Sequence, residues 1–232
     1  MRRIGSIIWS SLGKKFISAL TGLGLVLYSI AHLIGNLALL RGDPNPFNKY
    51  AHFLESLGWL LIIIELGLLA FFLFHICMGI IVWFDKRRAR PDDYVKKTDA
   101  KGASKMTFSS KTMIYSGLIM LLFLIVHVLT FKYGPGIDEG YVTVVGGVPM
   151  RDLYRLVIEI FSNKLYVLGY TGAMVFLGFH LRHGFWSAFQ SLGMQHPRLT
   201  PLIYSVGIVL AIVLAVGFLF LPIWIYFRGG AA

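Results

Sequence analysis

Of the seven histidines in this 232-residue chain, His32, His75, His127, His180 and His183 lie inside long apolar stretches, while His52 and His196 fall between them. An ionisable ring in hydrocarbon is expensive and is normally met by a partner inside the protein. Imidazole ligates metals and carries protons near neutral pH. The chemistry on offer is therefore metal ligation or proton relay. Which of the two depends on the elements that hold the rings, and on the depth at which each is held.

Those elements are helices in a membrane. The chain is 56% hydrophobic and 14% charged, with a mean hydropathy of +0.71, whereas a soluble domain carries roughly a quarter charged residues. A span needs about 20 mainly apolar residues. Five stretches qualify, at approximately 15–40, 57–84, 111–132, 164–189 and 201–227. Their apolar runs are continuous and not alternating, which excludes a closed β-barrel. The expected fold is all-α, a polytopic bundle of five transmembrane helices forming one membrane domain over residues 1–232. The basic start "MRRIGSIIWSSLGKK" has no small-residue cleavage site after an apolar core, so the first span is expected to be retained. Cys77 is the single cysteine. It excludes intramolecular disulfides, cysteine clusters and the C-x-x-C-H haem attachment motif, and reads as a small apolar filler.

The net charge of +11 is unevenly spread. Arg2, Arg3, Lys14 and Lys15 precede the first span. Lys86, Arg87, Arg88, Arg90, Lys96, Lys97, Lys101, Lys105 and Lys111 follow the second, and Arg182 and Arg198 flank the fourth loop. Loops rich in Lys and Arg stay cytoplasmic, which puts the N-terminus inside and the C-terminus outside. The basic segment fits anionic lipid or an acidic protein partner, and not nucleic acid.

Between the spans, "FNKYAHFLES" reads as a surface helix after the Asp-Pro turn. The prolines and acids of "RARPDDY" stop the second span. "YVTVVGGVPM" has the alternation and Gly-Gly of a small hairpin. "RDLYRLVIEIF" spaces Leu153, Leu156, Val157, Ile160 and Phe161 for a helix on the membrane surface.

Topology then sets depth. His32 lies about 8 residues from the outer end of an outward span, ~12 Å at the helical rise, and His127 also sits near an outer end. His75 and His180 lie about 9 residues from the inner ends of inward spans, ~13 Å. Two pairs of imidazoles at two depths match two stacked haems, each with two histidine ligands. Zinc or copper would want three or four ligands converging at one depth. Two imidazoles on iron leave no open position, so the chemistry would be electron transfer without oxygen binding. Small residues near the rings (Gly24, Gly35, Gly67, Gly79, Gly172 and Gly184) would let a macrocycle approach, although they also serve close helix packing. Interhelical hydrogen bonding or proton relay by the same histidines is the alternative.

At these residues the chain resembles the five-helix, di-haem cytochrome b membrane-anchor subunit of succinate:quinone oxidoreductases, the family of succinate dehydrogenases and fumarate reductases. "SSLGKKFISALTGL" with "HLIGNL" is similar to the first helix of that family, and "NPFNKYAHFLES" to its first outer loop. "FHICMGI", "LIVHVLTF" and "GFHLRHGFWSAFQSLG" resemble the ligand segments of the second, third and fourth helices. "KRRARP…SKTMIYSG" looks like the inner loop. The resemblance implies His32 and His127 as axial ligands of an outer haem b, and His75 and His180 of an inner one. It implies a flavoprotein and an iron–sulfur subunit docked on the cytoplasmic side of a bacterial inner membrane, and exchange of electrons with quinone, commonly menaquinone. One departure is Gly178, where some fumarate reductases of this type carry a proton-conducting glutamate two residues before the fourth-helix ligand.

Further candidates surround this set. Glu65 lies level with His32 in the second span; a carboxyl there is expected to prefer its neutral form, either exchanging protons with quinone or hydrogen-bonding between helices. Glu55, at the outer surface, is a second candidate for the quinone site or simply a solvated residue. Arg182 snorkels inward or meets a haem propionate. Ser18, by resemblance, offers a propionate hydrogen bond. His183, three residues after His180, could compete with it as ligand or contact a propionate. The expected function is the anchor of a succinate dehydrogenase. Alternatives are the same subunit in a quinol:fumarate reductase, and a haem-free channel or transporter with histidine relays, which would want a broken midplane helix.

Overall fold

The computed structural model describes residues 8–89 and 112–229. Arg2, Arg3 and most of the basic segment, from Arg90 to Lys111, lie outside the described residues, as does the stop signal beyond Ala89.

Helix α1 (Ser11–Asn36) begins where Ser10 Oγ accepts from the Gly13 amide at 3.0 Å, the side-chain cap that satisfies an orphan donor. It tightens into a 3₁₀ turn, Leu37–Arg41, and stops at Gly42, whose φ of 71° ends the turn left-handed. The expected surface helix is α2 (Pro44–Ser56), capped by Asp43 with proline in its first turn. Helix α3 (Trp59–Arg88) ends on Lys86, Arg87 and Arg88, cations that suit the negative end of its dipole. Helix α4 (Met113–His127) passes into a wider π turn, Val128–Lys132. The expected hairpin is β1 (Val142–Val145) antiparallel to β2 (Val148–Arg151), turned by Gly146 and Gly147 at φ 62° and 81°. Asp152 caps α5 (Leu153–Phe161), accepting from the Arg155 amide at 3.1 Å. Helices α6 (Lys164–Ser191) and α7 (Leu199–Gly229) complete the chain.

Among the described residues four stretches are long and apolar enough to cross a membrane: Ser11–Arg41, Trp59–Arg88, Met113–Lys132 and Leu199–Arg228. Leu27, Trp59, Ile62, Leu66, Leu122 and Val209 all point outward, each more than half exposed. Surfaces this apolar do not stand in water. The chain is a multi-pass helical membrane protein. The fourth expected span, 164–189, is indeed one long helix, α6, but it falls short in apolarity. His180, Arg182, His183, Gln190 and four glycines dilute its hydropathy.

Packing divides the chain into two compact units. The first comprises 1–27, 68–118 and 179–211; the second comprises 28–67, 119–178 and 212–232. In the first, Ala19, Met78, Trp186, Ala188, Ile203 and Ala211 are buried beside Thr21 and Ser116. In the second, Phe47, Met150, Leu156, Val157, Phe161, Leu214 and Ile225 are buried, and Asn48 is fully enclosed. Asn48 Nδ2 donates to Asp152 Oδ1 at 2.8 Å, and its Oδ1 accepts from the Tyr154 amide at 2.8 Å. One side chain thus locks α2 to the start of α5. Cys77 is exposed on α3 and fills no packed interior.

Candidate functional site

In the first unit the rings of His75 on α3 and His180 on α6 meet, with centroids 6.1 Å apart and planes at 69°. His75 Nδ1 lies 3.1 Å from the Ser18 carbonyl of α1. A carbonyl only accepts, so the ring proton is on Nδ1 and the lone pair on Nε2. His180 Nδ1 lies 3.2 Å from Ser116 Oγ on α4. Gly22 lets the His75 ring lie close, since a Cβ there would come 3.0 Å from His75 Cε1, whereas a Cβ on Gly117 would make an ordinary contact with His180 Cε1 at 3.5 Å. His180, and not His183, is the ring that meets His75. Arg182 Nη2 donates to Tyr204 Oη at 3.3 Å on α7, and Lys14 pairs with Asp85 at 2.5 Å.

In the second unit His32 on α1 meets His127 at the end of α4, with centroids 5.8 Å apart and planes at 89°. Here rings surround rings. Tyr28 stacks on His32 at 5.5 Å and Phe218 lies 5.8 Å from it. Phe123, Phe131 and Tyr170 crowd His127 at 5.5, 5.3 and 6.0 Å. Tyr170 Oη comes 3.4 Å from His127 Nδ1, at the long limit of a hydrogen bond. Asn36, the other polar residue of the first span, turns back on its own helix and donates to the His32 carbonyl at 2.7 Å.

These separations permit a test of fit. Two metal–nitrogen bonds of about 2 Å, with about 1 Å from each nitrogen to its ring centre, put opposed imidazole centroids about 6 Å apart. Both pairs meet that figure, and His75 presents the unprotonated Nε2 that ligation requires. Among the described residues no group of three or more His, Cys, Asp or Glu converges on one point. The paired rings have the spacing that iron between two imidazoles would need, which is also the spacing of an ordinary edge-on ring contact.

Several expectations change in detail. Glu65 Oε1 pairs with Lys132 Nζ, and its side chain is 40% exposed. The π turn after His127 is what carries Lys132, and the sequence reading missed this partner. Gly134 follows, where a Cβ would overlap the Thr130 carbonyl of the same turn. Ser18 is met through its carbonyl, as the partner of His75. Gly24 and Gly35 receive the rings of Phe71 and Tyr50, whereas nothing lies within 4 Å of a Cβ placed on Gly67, Gly79 or Gly172. Glu55 is exposed near the end of α2. No protein-family model matches the chain, and no curated protein or solved structure matches it.

Proposed function

We propose that this chain is the di-haem cytochrome b anchor of a succinate dehydrogenase in a bacterial cytoplasmic membrane, passing electrons from an iron–sulfur subunit to a quinone of the menaquinone type. The observation that carries the reading is the pair of histidine pairs, each at the spacing of two axial ligands. The resemblance of the quoted helix motifs, which contain these same histidines, supports it. In this reading α6 is a fifth span, and its polar residues face cofactor and not lipid.

When bound, each haem would supply one-electron transfer. Everything else falls to the chain. His32 with His127, and His75 with His180, would hold the two groups. The Ser18 carbonyl, with Gly22 close against the ring, sets how His75 presents its nitrogens. Arg182, with Tyr204 and His183 nearby in sequence or contact, is the candidate for a propionate. Glu65, held by Lys132, is the candidate to exchange a proton with quinone, since quinone reduction consumes protons as well as electrons. A quinol:fumarate reductase would use the same residues in the reverse direction; the flavoprotein and iron–sulfur partners set that choice. The test is pyridine haemochrome analysis of the purified chain. Two haems b per polypeptide are expected, and none would overturn the reading in favour of polar contacts between helices.

A further inference from the structure

Ser116 on α4 is 1% exposed. A hydroxyl so buried is costly unless its proton and its lone pairs are both used. Its Oγ lies 3.0 Å from the Met113 carbonyl, one turn back, and 3.2 Å from His180 Nδ1. The hydroxyl has one proton to give. Met113 can only accept, so that proton goes to its carbonyl, and Oγ then accepts from Nδ1–H of His180. The reverse arrangement leaves two oxygens at 3.0 Å with no proton between them. It also moves the ring proton to Nε2, the atom that would face a metal.

We propose that Ser116 is the positioning residue of His180: relayed to the Met113 carbonyl, its hydroxyl fixes the Nδ1–H tautomer and turns a bare Nε2 toward His75. The inference rests on reading His180 as an axial ligand. His75 reaches the same state through the Ser18 carbonyl at 3.1 Å. Both rings of the first unit then keep Nε2 unprotonated and open to ligation.

A hydrogen bond at Nδ1 raises the basicity of the ring as a ligand and so favours ferric over ferrous iron. Removing it should raise the reduction potential of one haem. The experiment compares wild type, Ser116→Ala and Ser116→Thr in the purified assembled complex, by haem content and by redox titration of the visible bands. Ser116→Ala should keep two haems and shift one midpoint upward by about tenfold in the ferric-to-ferrous ratio, about 59 mV for a one-electron couple, with the other midpoint unmoved. Ser116→Thr, which keeps the hydroxyl, should restore the wild-type value. Loss of one haem in Ala but not in Thr also supports the role. Unchanged potentials in Ala, or loss of haem in both variants, would overturn it, while two haems in the wild type would leave the ligand reading intact. A wild type without haem would instead sink the ligand reading itself.

Discussion

The two units orient a pair of imidazoles by different means. In the first, His75 and His180 are tied at Nδ1 to a backbone carbonyl and a buried hydroxyl, at 3.1 and 3.2 Å. In the second, His32 and His127 sit in a shell of five aromatic rings, and the Tyr170 phenol lies 3.4 Å from His127 Nδ1. Hydrogen bonds fix both the direction of a ring and the location of its proton. Aromatic packing fixes the direction of a ring without assigning its proton. The ring planes stand at 69° in the first pair and 89° in the second.

The largest expected effects separate the two pairs outright. His32→Ala should remove one haem and leave the other, and His75→Ala should do the converse, each read as one haem per chain in place of two. His180→Ala should match His75→Ala, and His183→Ala should keep both haems. If His183→Ala alone lost one, the pairing at 6.1 Å would not be the ligand pair.

Glu65→Gln belongs to the second unit and should spare both haems and succinate reduction of an artificial acceptor dye, which takes electrons before the membrane. Quinone-linked turnover should fall at least tenfold, about 1.4 kcal/mol of barrier. Turnover at the wild-type rate would reduce Glu65 to a surface ion pair with Lys132.

Asn48→Ala tests the scaffold of the second unit without touching a ring. It leaves Asp152 and the Tyr154 amide short of one partner each, at about 1–3 kcal/mol for an orphaned buried polar group. A lowered unfolding temperature in detergent with two haems still bound is the expected result. Loss of the first-unit haem instead would show that the two regions are not independent.

A spectroscopic ranking follows from the ring planes. Near-perpendicular imidazoles leave the iron orbitals closer to degenerate, so the His32–His127 haem should give the more anisotropic low-spin ferric resonance. Equal signals would mean that binding realigns the rings.

The smallest effect lies in the outer loop. Hydrogen bonds from Tyr141 at 2.5 Å and then from Arg155 hold the Glu159 carboxyl below its ordinary 4.5, and the same contact with Glu159 raises the Tyr141 phenol. The folded form binds the proton less tightly, so the contribution is present above the unfolded value and lost as pH falls through the lowered one. Glu159→Gln should soften the acid limb of a stability profile slightly, because these groups are exposed and screened. A large change would point to burial of this loop against a partner.

Much of this comparison was legible in the sequence. The apolar stretches gave every long helix to within a few residues, and the Gly-Gly and Asp-Pro signals gave the hairpin and α2. The pairing of His32 with His127 and His75 with His180 followed from depth alone, because 1.5 Å per residue converts position into height. Depth says nothing about rotation. Hence Gly22, Gly117 and Ser116, which face the rings, were not singled out, nor were the Phe71 and Tyr50 rings that lie against Gly24 and Gly35. Lys132 was hidden for a related reason: it reaches Glu65 from a π turn, and no local pattern announces a switch from four- to five-residue hydrogen bonding. Apolarity misjudged α6, whose polar residues are the ones a cofactor would use.

The boundaries of the two units fall inside long helices, at 27, 67, 118, 178 and 211, and no linker separates them. This has a consequence for biosynthesis. Neither unit is encoded by a continuous stretch of message, so neither can finish folding before α7 leaves the ribosome. The histidine pairs, however, close in a fixed order. His127 is made while His180 is still unsynthesised, so α1 and α4 can bring the second-unit pair together first, and His75 must wait for α6. A chain stalled after α4 would hold both rings of the second-unit pair and a single unmatched histidine of the first.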